Sequence, residues 1–490
     1  MPSSTAGEVF SVLLATFAMT QSYDLRRSDW FIVGLAISTV CATRAVEKTF
    51  ITVLVAGVAI FLIFTTLVIS RSKSILFAIV VVFTVLGFIN RSRAMGELQR
   101  VELGQYSGVA RVITDPQRVG AATQIVLDIS GDRFVVYAYG RPSWRLSNTN
   151  VGETIVVSGW RNKLSPIQAR RLVSKHIKGN FEIESVGEPR YVAAPIYRSA
   201  QRVRRLISSG AKSFPFDERS LFTGLVIGDD SKQSEQMVSA FRKSGLAHLV
   251  AVSGQNVAFV LTALSPLLRR LRRTVRLIVT LGVLVWFVVI TRVEPSVIRA
   301  AVMAGVATMS ISLGRPTRTL RILAMTVIVT IFLDPLLAWS VGYYMSVGAT
   351  TGLCFLSGPL ARVVPGPRWL ASLVAATISA QVGVAPAVVF VFGVPAAIGI
   401  LANILAVPVA SLVMLAGLPL SLFAGAISET AFAALGTIVM WPVLIGVRWV
   451  WWVAALGEHL SATGFVNFGM WVAVFVMILL LLHRDARVEG

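Results

Sequence analysis

Residues 267–290 read LLRRLRRTVRLIVTLGVLVWFVVI. Five arginines, Arg269, Arg270, Arg272, Arg273 and Arg276, lead into the uncharged apolar stretch 277–291. An apolar helix of about 20 residues, rising 1.5 Å per residue, crosses a hydrocarbon core of about 30 Å. Stretches of this kind recur along the chain: 30–45, 49–70 and 75–90, then 245–267, 277–291, 296–313, 320–333, 336–356, 369–392, 396–424, 430–456 and 465–483. That reading gives twelve spans, with 9–19 too short to add another. Pro408 and Pro419 leave 396–424 open to a re-entrant path. Of 490 residues, 55% are hydrophobic and 14% charged, and the mean hydropathy is +0.75. Soluble globular proteins average about 45–50% and about 25%, so a soluble enzyme is excluded. The fold class expected is a polytopic α-helical membrane protein.

The 45 basic and 24 acidic side chains leave a net charge of +21, which calls for an anionic partner, either phospholipid head groups or nucleic acid. A polar insert, 91–243, holds 24 of the basic and 14 of the acidic residues. The chain therefore divides into N-terminal transmembrane helices (1–90), a β domain (91–190), a basic amphipathic connector (191–244) and a second transmembrane domain (245–490). Short cytoplasmic loops retain Lys and Arg. The Arg269–Arg276 run and the later Arg315, Arg318 and Arg321 thus mark cytoplasmic loops. Counting crossings then puts the insert outside, and Arg26, Arg27, Arg362, Arg368, Arg484 and Arg487 inside. No cleavable signal peptide is expected, because the first apolar stretch lacks a basic flank and a small-residue cleavage site. Cys41 and Cys354 both lie in apolar segments and form neither a disulfide framework nor a cysteine zinc site.

Between 106 and 186 the pattern changes to short β-rich runs, YSGVARVIT, TQIVLDI, RFVVYAY, ETIVVSG and FEIESV. Five such strands, broken by glycines, fit a small OB-like barrel, extracytoplasmic by the loop charges. Tyr137, Tyr139 and Trp160 with Arg133, Arg141, Arg161 and Lys163 are the residue types that hold single-stranded nucleic acid by stacking and charge. Alternation also sends some of the rings of RFVVYAY inward, so the module is either a binding surface or a structural collar. The following IYRSAQRVRRLISSGAKSF is a basic amphipathic helix that either lies on an anionic membrane surface or guides DNA.

From Leu221 the chain reads LFTGLVIGDDSKQSEQMVSAFRKSGLAHLVAVSGQNVAFV. This stretch resembles the ComEC family of competence proteins, in its GLVIGD turn, the amphipathic helix after it, and HLVAVSG. EPSVIRAAVMA, DPLLAWSVGYYMSVGATTGL and AQVGVAPAVVFVFGVPAAIGILANILAVP follow in the family's order. The resemblance implies a channel carrying one strand of DNA across the cytoplasmic membrane during natural transformation. Many members add a metallo-β-lactamase-like domain proposed to degrade the other strand. His176, His248, His459 and His483 are scattered and form no H-x-H-x-D-H cluster, so any nuclease step is expected from another protein.

Polar groups at span depth mark a cavity, a helix contact or a pathway. His248, Ser253, Gln255 and Asn256 gather in LAHLVAVSGQN and either line a pore mouth or join helices. Arg299 either offers a fork to a passing phosphate or snorkels and pairs with Glu294. Gln381 and Asn403 either bond between helices or line the path, and Arg448 among tryptophans reads as an interfacial anchor. The adjacent Asp229 and Asp230 lack the facing geometry of an aspartyl protease, and Asp229 is expected to cap a helix starting near Ser231. Zincin, P-loop and nucleophile-elbow patterns are absent.

The expectation is therefore a membrane channel for single-stranded DNA with no catalytic residue, no metal and no cofactor. Its partners would be membrane lipids, a DNA receptor outside, and a cytoplasmic motor or single-strand-binding protein inside; a homo-oligomer stays open. A transporter or flippase for a small anionic metabolite or lipid is the alternative.

Overall fold

A computed structural model describes residues 27–44, 73–191, 194–250, 254–315, 317–462, 464–474 and 476. The expected span 49–70, the 9–19 stretch, Arg26, Arg484, Arg487 and all of 477–483 lie outside the described residues. Helices α1 (Arg27–Arg44) and α2 (Lys73–Gln99) come first. Strands β1 (Gly104–Val112), β2 (Gln117–Val119), β3 (Ala122–Ile129) and β4 (Asp132–Ala138) follow. Helix α3 (Gly140–Ser147), β5 (Thr154–Lys163), α4 (Pro166–Leu172) and β6 (Ile177–Tyr191) complete the β module.

The sheet runs β1-β5-β6-β4-β3-β2, and β3 also pairs back to β1 from Ala110↔Ile129 to Val112↔Leu127. Five strands thus close into a barrel, antiparallel throughout except for the parallel β4–β6 pair, the Greek-key closure of an OB-type fold. The structure adds one strand to the five expected. Gly120, at φ 58, turns the three residues of β2 back onto β3. Phe134, Val136 and Ala138 point into a core with Ile125, Leu127, Ile155 and Phe181. The alternate residues Val135 and Tyr137 pack with Val126, Ile177 and Leu172 on the other face. Both faces of β4 are therefore apolar, which explains why its alternation is blurred.

Four helices connect the barrel to the bundle: α5 (Pro195–Gly210), α6 (Phe216–Ile227), α7 (Glu235–Lys243) and the short α8 (Ala247–Val250). The bundle continues with α9 (Gly254–Leu268), α10 (Arg273–Ile290), α11 (Pro295–Ser312), α12 (Thr319–Leu333) and α13 (Val341–Val363). It ends with α14 (Arg368–Phe392), α15 (Gly399–Ile427), α16 (Ala433–His459) and α17 (Gly464–Val474). Five of the described helices, α10, α11, α14, α15 and α16, are long and apolar enough to cross a membrane, and shorter apolar stretches lie in α1, α9, α12 and α17. The chain is a multi-pass helical membrane protein with a small β domain.

Three local expectations change. The 396–424 segment is not re-entrant: α15 is one helix of 29 residues with Pro408 and Pro419 inside it, about 43 Å long. Within 245–267 the structure describes α8 and α9, and 251–253 between them lie outside the described residues. The connector helix α5 does not present its apolar side to a lipid surface. That side packs on α15, where Gly210 meets the backbone of Ser421 and Gly425 meets the backbone of Leu206, and Ile207 is fully buried. Arg448 does not stand alone among the tryptophans: its Nε donates to Glu218 Oε1 at 3.0 Å.

Helices α13 and α14 pack at backbone contact. A Cβ on Gly348 or Gly352 would run into Gly383 or the Ser379 carbonyl, the small-residue contact that lets membrane helices approach closely.

Candidate functional site

One cavity of ≈ 1870 Å³ runs from the β module deep into the bundle. Arg111, Thr114, Gln124 and Arg133 of the barrel line its outer end, and Asp230, Arg292, Glu294 and Asp334 form a rim where barrel and bundle meet. Its inner wall is one face of α14, where Ser372, Ala376, Thr377, Ala380, Gln381 and Val384 recur at spacings of three and four. The first and last lining residues of that helix, Trp369 and Phe392, are separated by about 35 Å of α-helix, roughly a hydrocarbon thickness. The opposing face of α13 adds Met345, Ala349, Leu353 and Ser357. All the formal charges lie towards the barrel end, and the α13–α14 part is lined by hydroxyls, amides and small apolar groups.

The residues singled out in the sequence fall into two sets. His248, Gln255, Gln381 and Asn403 all line this one cavity. Gln255 Nε2 donates to Ser411 Oγ at 2.9 Å, which fixes its amide between α9 and α15. Asn403 Nδ2 donates to the Gly399 carbonyl at 2.7 Å, while Asn403 Oδ1 and Gln381 Oε1 have no hydrogen-bond partner among the described residues. Both oxygens are buried, so each is an unsatisfied acceptor within the packing rather than one presented to the cavity. Asn256 and Arg299 stand behind the wall: Asn256 Nδ2 donates to the Leu225 carbonyl at 3.0 Å, and Arg299 is 5% exposed. Ser253 lies outside the described residues.

The β-module residues do not converge on one groove. Arg133 lines the cavity, its Nη1 donating to the Lys175 carbonyl at 3.3 Å. Tyr137 packs into the apolar patch beside Ile177. Tyr139, Arg141 and Trp144 are exposed around the start of α3. Trp160 is on β5, bonded to Glu184 at 3.1 Å, and Lys163 is exposed near the end of that strand. Arg161 lies over the Tyr106 ring at 5.3 Å and pairs with Glu102 at 3.1 Å.

The rim is held by charge. Helix α6 ends on Gly228 at φ 68, whose N–H donates to the Gly224 carbonyl at 2.9 Å, the left-handed cap that glycine favours. This turn presents Asp229 to Arg204 of α5 at 2.8 Å. Asp115, in the loop after β1, pairs with Arg292 in the loop between α10 and α11, and Arg204 approaches it at 3.6 Å. Asp229 therefore joins α5 to the turn after α6, with Arg292 of the bundle 3.8 Å away, rather than capping a helix. Its Oδ1 accepts from Ser231 Oγ at 2.6 Å, while Ser234 caps α7. Next to it, Gln117 Nε2 donates to Asp230 Oδ1 at 3.2 Å. Burial, with Asp229 beside it, pushes the Asp230 carboxyl up. Burial also raises Glu294 against the pull of Lys175, and lowers Arg292 to about 10. Arg292 and Val293 both have positive φ, 63 and 60, costly for non-glycine residues and most of all for a β-branched one.

The sequence reading passed over Asp115, Arg292 and the His176–Asp334 contact at 2.9 Å. No local pattern marks them, because each pair joins distant segments. The Gly348-x-x-x-Gly352 spacing was the available signal for the α13–α14 contact.

A family model described as Competence protein matches residues 225–484, more than half of the chain. The chain belongs to the Competence protein family. The matched region begins in α6 and takes in the helices that line the deep part of the cavity; the barrel precedes it. ComE operon protein 3 of Bacillus subtilis (strain 168) is 26% identical over 251 residues, which are 50% of this chain and 32% of that protein. The alignment thus takes in about a third of that relative's length. No solved structure matches the chain.

Proposed function

We propose that this Competence-family chain forms the path by which a single strand of DNA crosses the bacterial cytoplasmic membrane during natural transformation. The observation that carries the reading is the single cavity continuous from the barrel along about 35 Å of α14. Phosphates would be drawn to the rim and barrel end by Arg111, Arg133, Lys175 and Arg292, all on the cavity lining. The interior, with no formal charge on the lining faces of α13 and α14, would let them leave again, since conduction needs entry to be favourable and binding to be weak. Gln381 and Asn403 add uncharged polar residues to the lining along the way.

In this reading the barrel is extracytoplasmic. It sits at the Ile290 end of α10, through Asp115 and Arg292, and the Arg269–Arg276 run sits at the opposite end. The chain acts without a catalytic residue, and direction is supplied by a cytoplasmic motor or by capture on single-strand-binding proteins. A deletion strain assayed for DNase-protected uptake of labelled DNA tests the proposal. Loss of internalisation with surface binding intact supports it; unchanged uptake contradicts it and leaves transport of a small anion or lipid.

A further inference from the structure

Helices α15, of 29 residues, and α16, of 27, are the longest of the described helices that could cross a membrane, but they do not pack as a crossing pair. At its start α15 meets the end of the connector, where a Cβ on Gly399 would lie 3.4 Å from both the Ser244 carbonyl and Gly245 Cα. Further on, Gly417 faces the Phe222 ring of α6, and Gly425 meets the Leu206 backbone of α5. Gly399 and Gly425 are about 39 Å apart along the helix, more than a hydrocarbon thickness, and the connector follows α15 over all of it. Helix α16 returns beside α15, with Gly436 against Ala424, Gly446 against Val413, and Gly457 against Ala402 and Ser244. The core that holds the pair is built with α5–α8; among its buried members only Phe259 and Ile290 come from α9–α14.

The connector is on the barrel's side. Gln201 Nε2 of α5 donates to the Val151 carbonyl at 2.7 Å, and Asp230, before α7, accepts from Gln117 of β2 at 3.2 Å. Arg198, Arg202, Arg205, Asp217, Arg242 and Lys243 are exposed on it, a set that belongs in water or among headgroups rather than in hydrocarbon. Both ends of α15 rest on this charged layer, so neither end reaches the opposite side of the membrane. Helix α16 would also cross badly. Arg448, its side chain 57% exposed and paired with Glu218, would sit about 3 Å from the middle of a crossing α16, where a charge is most costly. We propose that α15 and α16 lie along the barrel-side leaflet without crossing it, and that their apolar outer face is seated in its lipid. That face is one stripe on α16, Ile438, Trp441, Ile445, Trp449, Trp452 and Leu456, all exposed and opposite the buried Met440, Val443, Val447, Val450 and Ala454. A helix in the leaflet plane holds all three indoles at the headgroup level they favour, and the connector arginines beside it suit anionic headgroups. The Ser428–Phe432 turn then lies on the barrel's side, whichever side of the membrane that is and whatever the cargo.

The test uses the full-length protein with Cys41 and Cys354 replaced, in cells for sidedness and in phosphatidylethanolamine–phosphatidylglycerol vesicles for depth. Glu429, in the turn between the two helices, is exposed. Glu429→Cys should react with a membrane-impermeant thiol reagent from the same side as Ser130→Cys in the barrel. Reaction only from the opposite side shows a crossing hairpin and overturns the proposal. Spin labels on Ile438→Cys, Ile445→Cys and Leu456→Cys then report depth through collisions with oxygen and with a water-soluble nickel chelate. All three should be reached by oxygen at one shared depth. A depth that changes along the row by about 1.5 Å per residue overturns the in-plane placement. Labels shielded from both collision partners place a protein on this face and overturn the lipid assignment.

Discussion

His176 Nε2, just before the last strand of the barrel, meets Asp334 Oδ2, at the end of α12, at 2.9 Å. Together with the Asp115–Arg292 pair, it fixes the barrel over the outer end of the cavity. The contacts differ in weight. The His176 and Asp334 side chains are 40% and 26% exposed, against 14% and 18% for Asp115 and Arg292.

Asp334→Asn should therefore cost no more than about 1 kcal/mol, the range of solvated ion pairs. Asp115→Asn, which leaves the largely buried Arg292 guanidinium only Asp229 at 3.8 Å, should cost on the order of 2 kcal/mol. Unfolding of the purified variants in detergent gives the comparison, and equal costs would show that the rim is solvated throughout.

Protonation at the rim sets a second expectation. Asp230 and Glu294 have carboxyls raised above their ordinary 3.8 and 4.5 by burial. Between the ordinary and the raised values the folded protein keeps protons that the unfolded chain has lost. Stability therefore falls as pH rises through that window and stays lower above it. Asp230→Asn and Glu294→Gln should each flatten this slope and stabilise the protein at neutral pH. A stability that instead rises with pH across the window in the wild type, and not in the variants, contradicts the assignment.

The α13–α14 contact makes a sharp steric prediction. Gly352→Ala places a Cβ against the Ser379 carbonyl and Gly383 and should destabilise by about 1–3 kcal/mol. Gly282→Ala, where a Cβ meets nothing within 4 Å, should be neutral or slightly stabilising through helix propensity. Thermal unfolding of the two variants side by side measures the difference.

Much of the architecture was legible because hydrophobic runs and β alternation are local signals. The Leu277–Ile290 run is the body of α10, and RFVVYAY covers β4 from Arg133 onward. The three-residue β2 was not legible, being shorter than any period, and α3 was hidden in a Gly-Arg-Pro stretch that reads as a turn. Helix α5 showed its amphipathicity plainly. Periodicity says that a face is apolar, and only packing shows that Ser421 and Gly425 of α15 cover it. At the site, the rarity of amides at span depth drew attention to Gln381 and Asn403 and left open whether they bond between helices or line a path; their place on one cavity comes from the structure. Arg299 drew attention for the same reason, yet lies behind the wall, because the cost of a buried charge does not tell which way the side chain points.

Membrane sidedness offers an independent check. Single cysteines at Ser130 in the barrel and Ser312 at the end of α11, with Cys41 and Cys354 replaced, should react with a membrane-impermeant thiol reagent from opposite sides. Position 130 should label from outside; labelling there only after the membrane is opened would reverse the topology.

The central claim is that DNA passes along the α13–α14 wall. A photo-crosslinking amino acid at Gln381, which faces the cavity, can be compared with one at Phe390, 91% exposed and absent from the cavity lining. During uptake of labelled DNA by transforming cells, the account predicts cross-linking of single-stranded DNA at position 381 and none at position 390. Undiminished uptake with no cross-link at 381, or equal cross-linking at both positions, would contradict it.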